Sequence, residues 1–293
     1  MATRSQWIAG TRPRTLPAAI APVLIGTAIA NFEHSMLLVR AFCALVVALA
    51  LQIGVNFAND YSDGIRGTDE VRLGPVRLVG QKLAEPKLVK RAALLNFLIA
   101  GLAGLLLAIL SGLWILIPIG VSAMLAAWFY TGGTKPYGYA GFGELFVFIY
   151  FGLVAVIGTS ASQTGNISIL SVLAGISCGL LSSAILIANN LRDIPSDMES
   201  DKRTLAVRLG DGKTRFLYQF VLIAGISLAT IMSMLPQGPE FAWVALSAGF
   251  VSVSPIRAIR SGISGPELIP VLVGTGKALL VFAILLSFTI AIS

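Results

Sequence analysis

Two acidic segments carry most of the chain's potential chemistry. The first reads Asn59-Asp60-Tyr61-Ser62-Asp63-Gly64-Ile65-Arg66-Gly67-Thr68-Asp69-Glu70, and the second runs from Asn189 through Asp193, Asp197 and Asp201 to Lys202, Arg203 and Thr204. On a helix, Asp60 and Asp63 share a face, and Asp193, Asp197 and Asp201 stack at four-residue spacing. Like charges so placed repel and weaken the helix. A divalent cation relieves that repulsion: Mg²⁺ takes one or two carboxylates plus substrate phosphates and keeps several waters. Two such blocks facing each other are suited to holding two Mg²⁺ ions and a diphosphate. Arg66, Lys135, Lys202 and Arg203 can neutralise the charge that the metals leave. The arrangement stabilises a diphosphate as its C–O bond breaks. Simpler readings compete for some of these acids. Asp193 also suits a helix cap, with Pro195 opening a new helix after it. Glu70, Glu199 and Asp211 read as solvated loop charges.

The elements that position these blocks follow from composition. Hydrophobic residues make up 56% of the 293-residue chain, charged residues only 12%, and the mean hydropathy is +0.86. A soluble domain carries about 25% charged residues, so this chain reads as a membrane protein. Apolar runs fall at about 16–32, 37–58, 92–112, 113–131, 142–161, 167–189, 215–235, 240–256 and 267–291, many near the ~20 residues that a spanning helix needs. The expected fold is an all-α, polytopic transmembrane bundle of about nine helices, forming one integral-membrane domain over residues 1–293. Ser111 and Gly112 must turn tightly between the third and fourth runs.

With the N-terminus inside, every Lys and Arg except Arg40 and Lys277 falls on the cytoplasmic side. Such asymmetry sets orientation. It places both aspartate blocks at the cytoplasmic face of a cell membrane, and accounts for the net charge of +7 without nucleic acid as a partner. Cys43 and Cys178 lie inside apolar runs, which argues against a disulfide framework. A single histidine, His34, argues against a histidine-based zinc site or a Ser-His triad. The aspartates stand in two blocks far apart in sequence, unlike membrane phosphotransferases of the CDP-alcohol type. Ionisable groups crowd the inner edge, whereas a transporter with inverted repeats places them at mid-membrane.

Further candidates lie outside the acidic blocks. In Tyr130-Thr131-Gly132-Gly133-Thr134-Lys135-Pro136-Tyr137-Gly138-Tyr139, Lys135, Tyr137 and Tyr139 suit phosphate or an aromatic substrate, and equally an interfacial anchor. Glu144 follows as a polar contact or base. Lys277, deep in the last run, should face the interior or snorkel. Gly175-x-x-x-Gly179 reads as helix packing. A weak internal echo relates Ala58-Asn59-x-x-x-Asp63 to Ala188-Asn189-x-x-x-Asp193.

These motifs resemble the intramembrane aromatic prenyltransferases of the UbiA superfamily. The likeness covers nearly the whole chain: Arg12-Pro13-Arg14-Thr15-Leu16-Pro17, the Asn59-Asp60-x-x-Asp63 block, Lys135-Pro136-Tyr137-Gly138-Tyr139, and above all Asp193 to Gly210 with Lys202-Arg203-Thr204-Leu205-Ala206-Val207-Arg208-Leu209-Gly210. The superfamily's first block usually carries a further acid where Gly67 stands here. The later acid at Asp69 fits the branch that prenylates 1,4-dihydroxy-2-naphthoate. The resemblance implies nine helices round a central cavity and a Mg²⁺-diphosphate site built from Asn59, Asp60, Asp63, Asp69, Asp193, Asp197 and Asp201. Lys135 and Arg203, with Arg66 and Lys202, grip the phosphates. The implied reaction joins a polyprenyl diphosphate to 1,4-dihydroxy-2-naphthoate with loss of CO₂, giving demethylmenaquinone; the alternative on the same fold is another acceptor, such as 4-hydroxybenzoate, homogentisate, a chlorin or a sugar phosphate. Arg14 and Lys277 are the candidates for the acceptor's carboxylate.

Overall fold

The computed structural model describes residues 2–67 and 76–293, and all of its regular structure is helical. A short α1 (Arg4–Gly10) leads through the turn Pro13–Thr15 into α2 (Pro17–Phe32). Then follow α3 (Leu38–Arg66), α4 (Pro86–Ser111), α5 (Leu116–Phe129), α6 (Gly143–Thr164), α7 (Ile169–Glu199), α8 (Leu205–Leu209), α9 (Asp211–Ser233), α10 (Ala242–Arg260) and α11 (Gly265–Ile292). Each of the nine apolar runs corresponds to a helix. Seven of these helices are long and apolar enough to cross a membrane, and α2 makes an eighth when taken with the N-terminal segment Arg4–Thr15, bent from it by 52°. The ninth, α5, has 14 residues, or about 21 Å at 1.5 Å per residue, short of the ~30 Å hydrocarbon core.

The outer faces are apolar in the manner of a lipid-facing surface. On α4, Leu94, Leu98, Leu102, Leu105 and Ile109 are exposed at spacings of three or four residues, which is one side of a helix. Phe216, Phe220, Phe250 and Phe288 are likewise exposed. The chain is a multi-pass membrane protein. The buried core centres on α2, α7, α9, α10 and α11, with Tyr218, Leu181, Leu279 and Phe282 fully enclosed.

Small residues bring backbones into contact. A Cβ on Gly152 would lie 2.4 Å from Gly179 Cα and 2.5 Å from the Gly175 carbonyl. The Gly175-x-x-x-Gly179 pair is therefore a packing face. It receives α6 at its π-helical stretch, Phe148–Val154.

Two boundaries matter for the site. First, α3 runs beyond its apolar stretch and stops at Gly67, whose φ of +74° is the left-handed C-cap that glycine adopts freely. Asp60 and Asp63 thus occupy the last turns of a spanning helix. Second, α7 runs unbroken through Pro195 to Glu199. The expectation that Pro195 starts a new helix is wrong, and Asp193 is not a cap. A proline inside a helix removes one backbone donor, and here the flanking turns hold the segment helical. The tight turn after Ser111 is present, with Gly112 at φ +72°.

Candidate active site

A chamber of about 420 Å³ opens among α2, α3, α4, α5, α6 and α7. Its membrane part is apolar, lined by residues such as Val47, Leu105, Ile117, Met124 and Phe151. Its polar end is built mainly from α3, the turn after α5, and the end of α7 with the segment beyond it. On α3, Gln52, Asn56, Asn59 and Asp63 all line the chamber. They follow one another at steps of four, three and four residues, so the helix presents them as one polar stripe.

Asp63 is the hub of the polar end. It is buried, and its Oδ1 accepts a hydrogen bond from Tyr139 Oη at 2.6 Å. Its Oδ2 lies 3.6 Å from Lys202 Nζ and 4.0 Å from Arg77 Nη1. Lys202 also sits over the Tyr139 ring, 4.6 Å from its centroid, a cation–π contact. Asn59 Oδ1 accepts from Thr131 Oγ1 at 2.9 Å. From the second block, Asp197 lines the same chamber, buried, with Thr204 Oγ1 3.4 Å from its Oδ2. The two acidic blocks therefore meet at one end of one chamber.

Asp60 and Asp193, expected as ligands, do not line it. Asp60 Oδ2 accepts from the Leu78 amide at 2.6 Å and Oδ1 from the Val79 amide at 3.1 Å. It anchors the loop that carries Arg77. Asp193 is clasped by its neighbour, with Arg192 Nε 2.7 Å from Oδ1 and Nη2 2.8 Å from Oδ2. Asp201 is solvent-exposed and pairs on the surface with Arg203. Asp69 lies outside the described residues.

The other candidates divide similarly. Lys135 and the Arg203 side chain are exposed and outside the chamber lining. Arg66 donates to the Thr131 and Gly133 carbonyls, bracing the turn that holds Tyr139. Tyr137 lines the chamber, donates to the Ala126 carbonyl at 2.9 Å and stacks on Phe146. Burial pushes its phenol well above the usual tyrosine range, so it remains a neutral donor. Glu144 is buried behind the wall, its Oε1 accepting from chamber-lining Asn190 at 2.9 Å. Arg14 and Lys277, expected to meet the acceptor, line a different groove. Lys277 projects from the outer side of α11, so the chamber is on the wrong side for it.

Several chamber residues went unnoticed in the sequence. Arg12 stands in the N-terminal motif with no role assigned to it, and Arg77 counts only as cytoplasmic charge. Arg12 adopts φ +54°, an uncommon conformation for a side-chain-bearing residue, of a kind found at functional sites. The polar stripe on α3 was legible in principle, because Gln52 and Asn56 interrupt an apolar run at helical spacing.

The lining thus includes three cations, Arg12, Arg77 and Lys202, beside two carboxylates, Asp63 and Asp197. Among the described residues no cluster of three or more His, Cys, Asp or Glu gathers as a self-sufficient metal cage. That donor set fits Mg²⁺, which commonly takes one or two carboxylates and completes its shell with phosphate oxygens and water. It fits poorly with a structural zinc site, which needs four protein ligands.

A helical membrane bundle with a charged, carboxylate-bearing mouth over an apolar chamber defines a class, an intramembrane enzyme. The UbiA prenyltransferase family model matches residues 19–264, and the chain belongs to that family and is a prenyltransferase. It is 51% identical over 292 residues to a 1,4-dihydroxy-2-naphthoate octaprenyltransferase of Mycobacterium tuberculosis, covering 99% of this chain and 98% of that one. A protein of the same description from Escherichia coli is 33% identical, covering 98% and 95%. Among solved structures, a UbiA homolog from Archaeoglobus fulgidus bound to DMAPP and Mg²⁺ superposes with a TM-score of 0.71 at 12% identity, over 98% of this chain and 99% of that chain. An apo UbiA homolog from Aeropyrum pernix gives 0.69 at 13% identity, over 94% and 97%.

Proposed function

We propose that the chain transfers a polyprenyl group from polyprenyl diphosphate to 1,4-dihydroxy-2-naphthoate, with loss of CO₂, giving demethylmenaquinone in its reduced form. The observation that carries this reading is the convergence of Asp63 and Asp197, from separate acidic blocks, on the polar mouth of an apolar chamber. Near-complete coverage by a 51% identical relative of that description supports the acceptor.

Asp63 and Asp197, with the Asn59 and Asn189 amides beside them, would hold Mg²⁺ together with the diphosphate. Bound there, Mg²⁺ supplies charge neutralisation to the leaving group. Lys202, Arg77 and Arg12 add fixed positive charge on the same side, in a site where low dielectric strengthens each contact. Tyr139 and Lys202 orient Asp63. Asp60 holds the Arg77 loop in place, and Arg192 restrains Asp193 behind the site. The isoprenoid lies along Val47, Leu105, Ile117 and Met124, where apolar burial favours it and water is excluded. As the prenyl C–O bond breaks, diphosphate leaves with the bonding pair. The electron-rich ring supplies the pair for the new C–C bond. The carboxylate departs as CO₂ and returns its bonding electrons to the ring. Basic residues on one side support a cytoplasmic site and N-terminus in the cell membrane.

The test is acceptor choice. Membranes containing the protein, given labelled polyprenyl diphosphate and Mg²⁺, should form labelled product and release CO₂ from 1,4-dihydroxy-2-naphthoate. Product from 4-hydroxybenzoate or homogentisate, and none from the naphthoate, would overturn the assignment.

A further inference from the structure

We propose that a groove between α10, α11 and the turn Pro13–Thr15 binds the headgroup of an anionic glycerophospholipid through Arg14 and Lys277. The groove holds about 510 Å³ and is lined by Arg14, Ser254, Pro255, Val273, Gly274 and Lys277, with further apolar side chains and no acidic one. It shares no residue with the chamber lining. The two cations are brought together by close packing. A Cβ on Gly276 would lie 3.6 Å from the Arg14 carbonyl, and one on Gly274 would lie 2.6 Å from Pro255 Cγ. The missing side chain of Gly274 thus lets α10 press against α11, while the Arg14 backbone packs on Gly276 at ordinary van der Waals distance, one residue from Lys277.

Neither the Arg14 nor the Lys277 side chain makes a hydrogen bond or ion pair within the described residues, and both are exposed. Lys277 stands about 18 Å along α11 from Gly265 at 1.5 Å per residue, well inside the span. A lysine at that depth ordinarily faces the protein interior, a counter-charge or a water-filled cavity. Here it faces outward beside a second cation, with the Ser254 hydroxyl in the same groove and Val273 and Pro255 as apolar walls. The complementary ligand is a phosphate with apolar chains attached. A free phosphate has no apolar part to offset its desolvation at that depth. Snorkelling of Lys277 alone leaves Arg14 unexplained and gives no lipid preference.

Native mass spectrometry of the full-length protein in detergent, titrated with phosphatidylglycerol or phosphatidylcholine, tests this. The wild type should retain one phosphatidylglycerol at about tenfold lower concentration than phosphatidylcholine, because only the former brings a net negative charge to the two cations. Arg14→Gln with Lys277→Gln should abolish the difference, and Lys277→Arg should keep it. Equal retention of the two lipids by the wild type would overturn the proposal whether or not the double variant folds. So would a preference that survives in a monodisperse double variant. Displacement of the lipid by millimolar inorganic phosphate would assign the groove to a soluble anion instead.

Discussion

Lys202 Nζ lies 3.6 Å from Asp63 Oδ2, joining the segment after α7 to the last turn of α3. Both side chains are buried. Tyr139, from the turn between α5 and α6, donates to the other Asp63 oxygen. Three segments distant in sequence are thus fixed on one carboxylate. Without Lys202, Asp63 keeps Tyr139 and the more distant Arg77, so the cost falls at or below the about 3–5 kcal/mol of a buried charge left with no partner.

Lys202→Ala is therefore expected to lower the melting temperature in detergent and to raise KM for polyprenyl diphosphate about tenfold or more. Lys202→Arg should recover stability better than activity, because a planar guanidinium does not reproduce a compact ammonium. Thermal unfolding and steady-state kinetics on the same preparations read both effects.

Tyr139→Phe removes one hydrogen bond to a charged group and leaves the ring beneath Lys202. A loss of about 1.5–3 kcal/mol corresponds to a fall of roughly tenfold to a hundredfold in kcat/KM. An unchanged kcat/KM would show that the orientation of Asp63 does not depend on this contact.

Asp201 offers the contrast. Its exposed pair with Arg203 is of a kind contributing about 0–1 kcal/mol. Asp201→Asn should change turnover less than about twofold, although the spacing of the second block makes it look equivalent to Asp197.

That equivalence shows where sequence reading works and where it stops. Nine apolar runs were enough for the helical bundle, and the two acidic blocks pointed to the chamber end where Asp63 and Asp197 meet. The spacing of Asp193, Asp197 and Asp201 places them on one helix face only while the helix lasts. Here α7 ends at Glu199, and Asp201, at φ +52°, turns to solvent. Nor does spacing reveal local partners. Arg192 takes Asp193 and the Leu78 and Val79 amides take Asp60, and these contacts depend on where a loop returns. Arg77 was hidden for the same reason, since nothing local distinguishes it from the other basic residues of its loop. Arg14 and Lys277 line a different groove, and for Lys277 hydropathy gives depth in the span but not which side of α11 it takes.

The chamber wall makes a prediction about the tail. Gly120 lines the chamber, and a Cβ added there meets nothing within 4 Å. Gly120→Phe should therefore fold normally while filling tail space. Its kcat/KM for a long polyprenyl diphosphate should fall about tenfold more than for a geranyl donor, in line with what apolar pocket contacts discriminate. Equal losses on both donors would place the tail elsewhere.

Metal dependence follows from the donor set. Chelation by EDTA should abolish transfer and excess Mg²⁺ should restore it. Asp197→Asn should raise the half-saturating Mg²⁺ concentration by about tenfold or more, because Mg²⁺ draws on so few protein carboxylates. A Mg²⁺ titration at fixed donor concentration measures the shift.

The most direct test of the account is diphosphate release from labelled polyprenyl diphosphate, with 1,4-dihydroxy-2-naphthoate and Mg²⁺, by protein carrying Asp63→Asn or Asp197→Asn. Each isosteric change should cut the rate at least about a hundredfold in protein that remains monodisperse. Release at the wild-type rate by either variant would contradict the claim that these two carboxylates jointly hold the departing diphosphate.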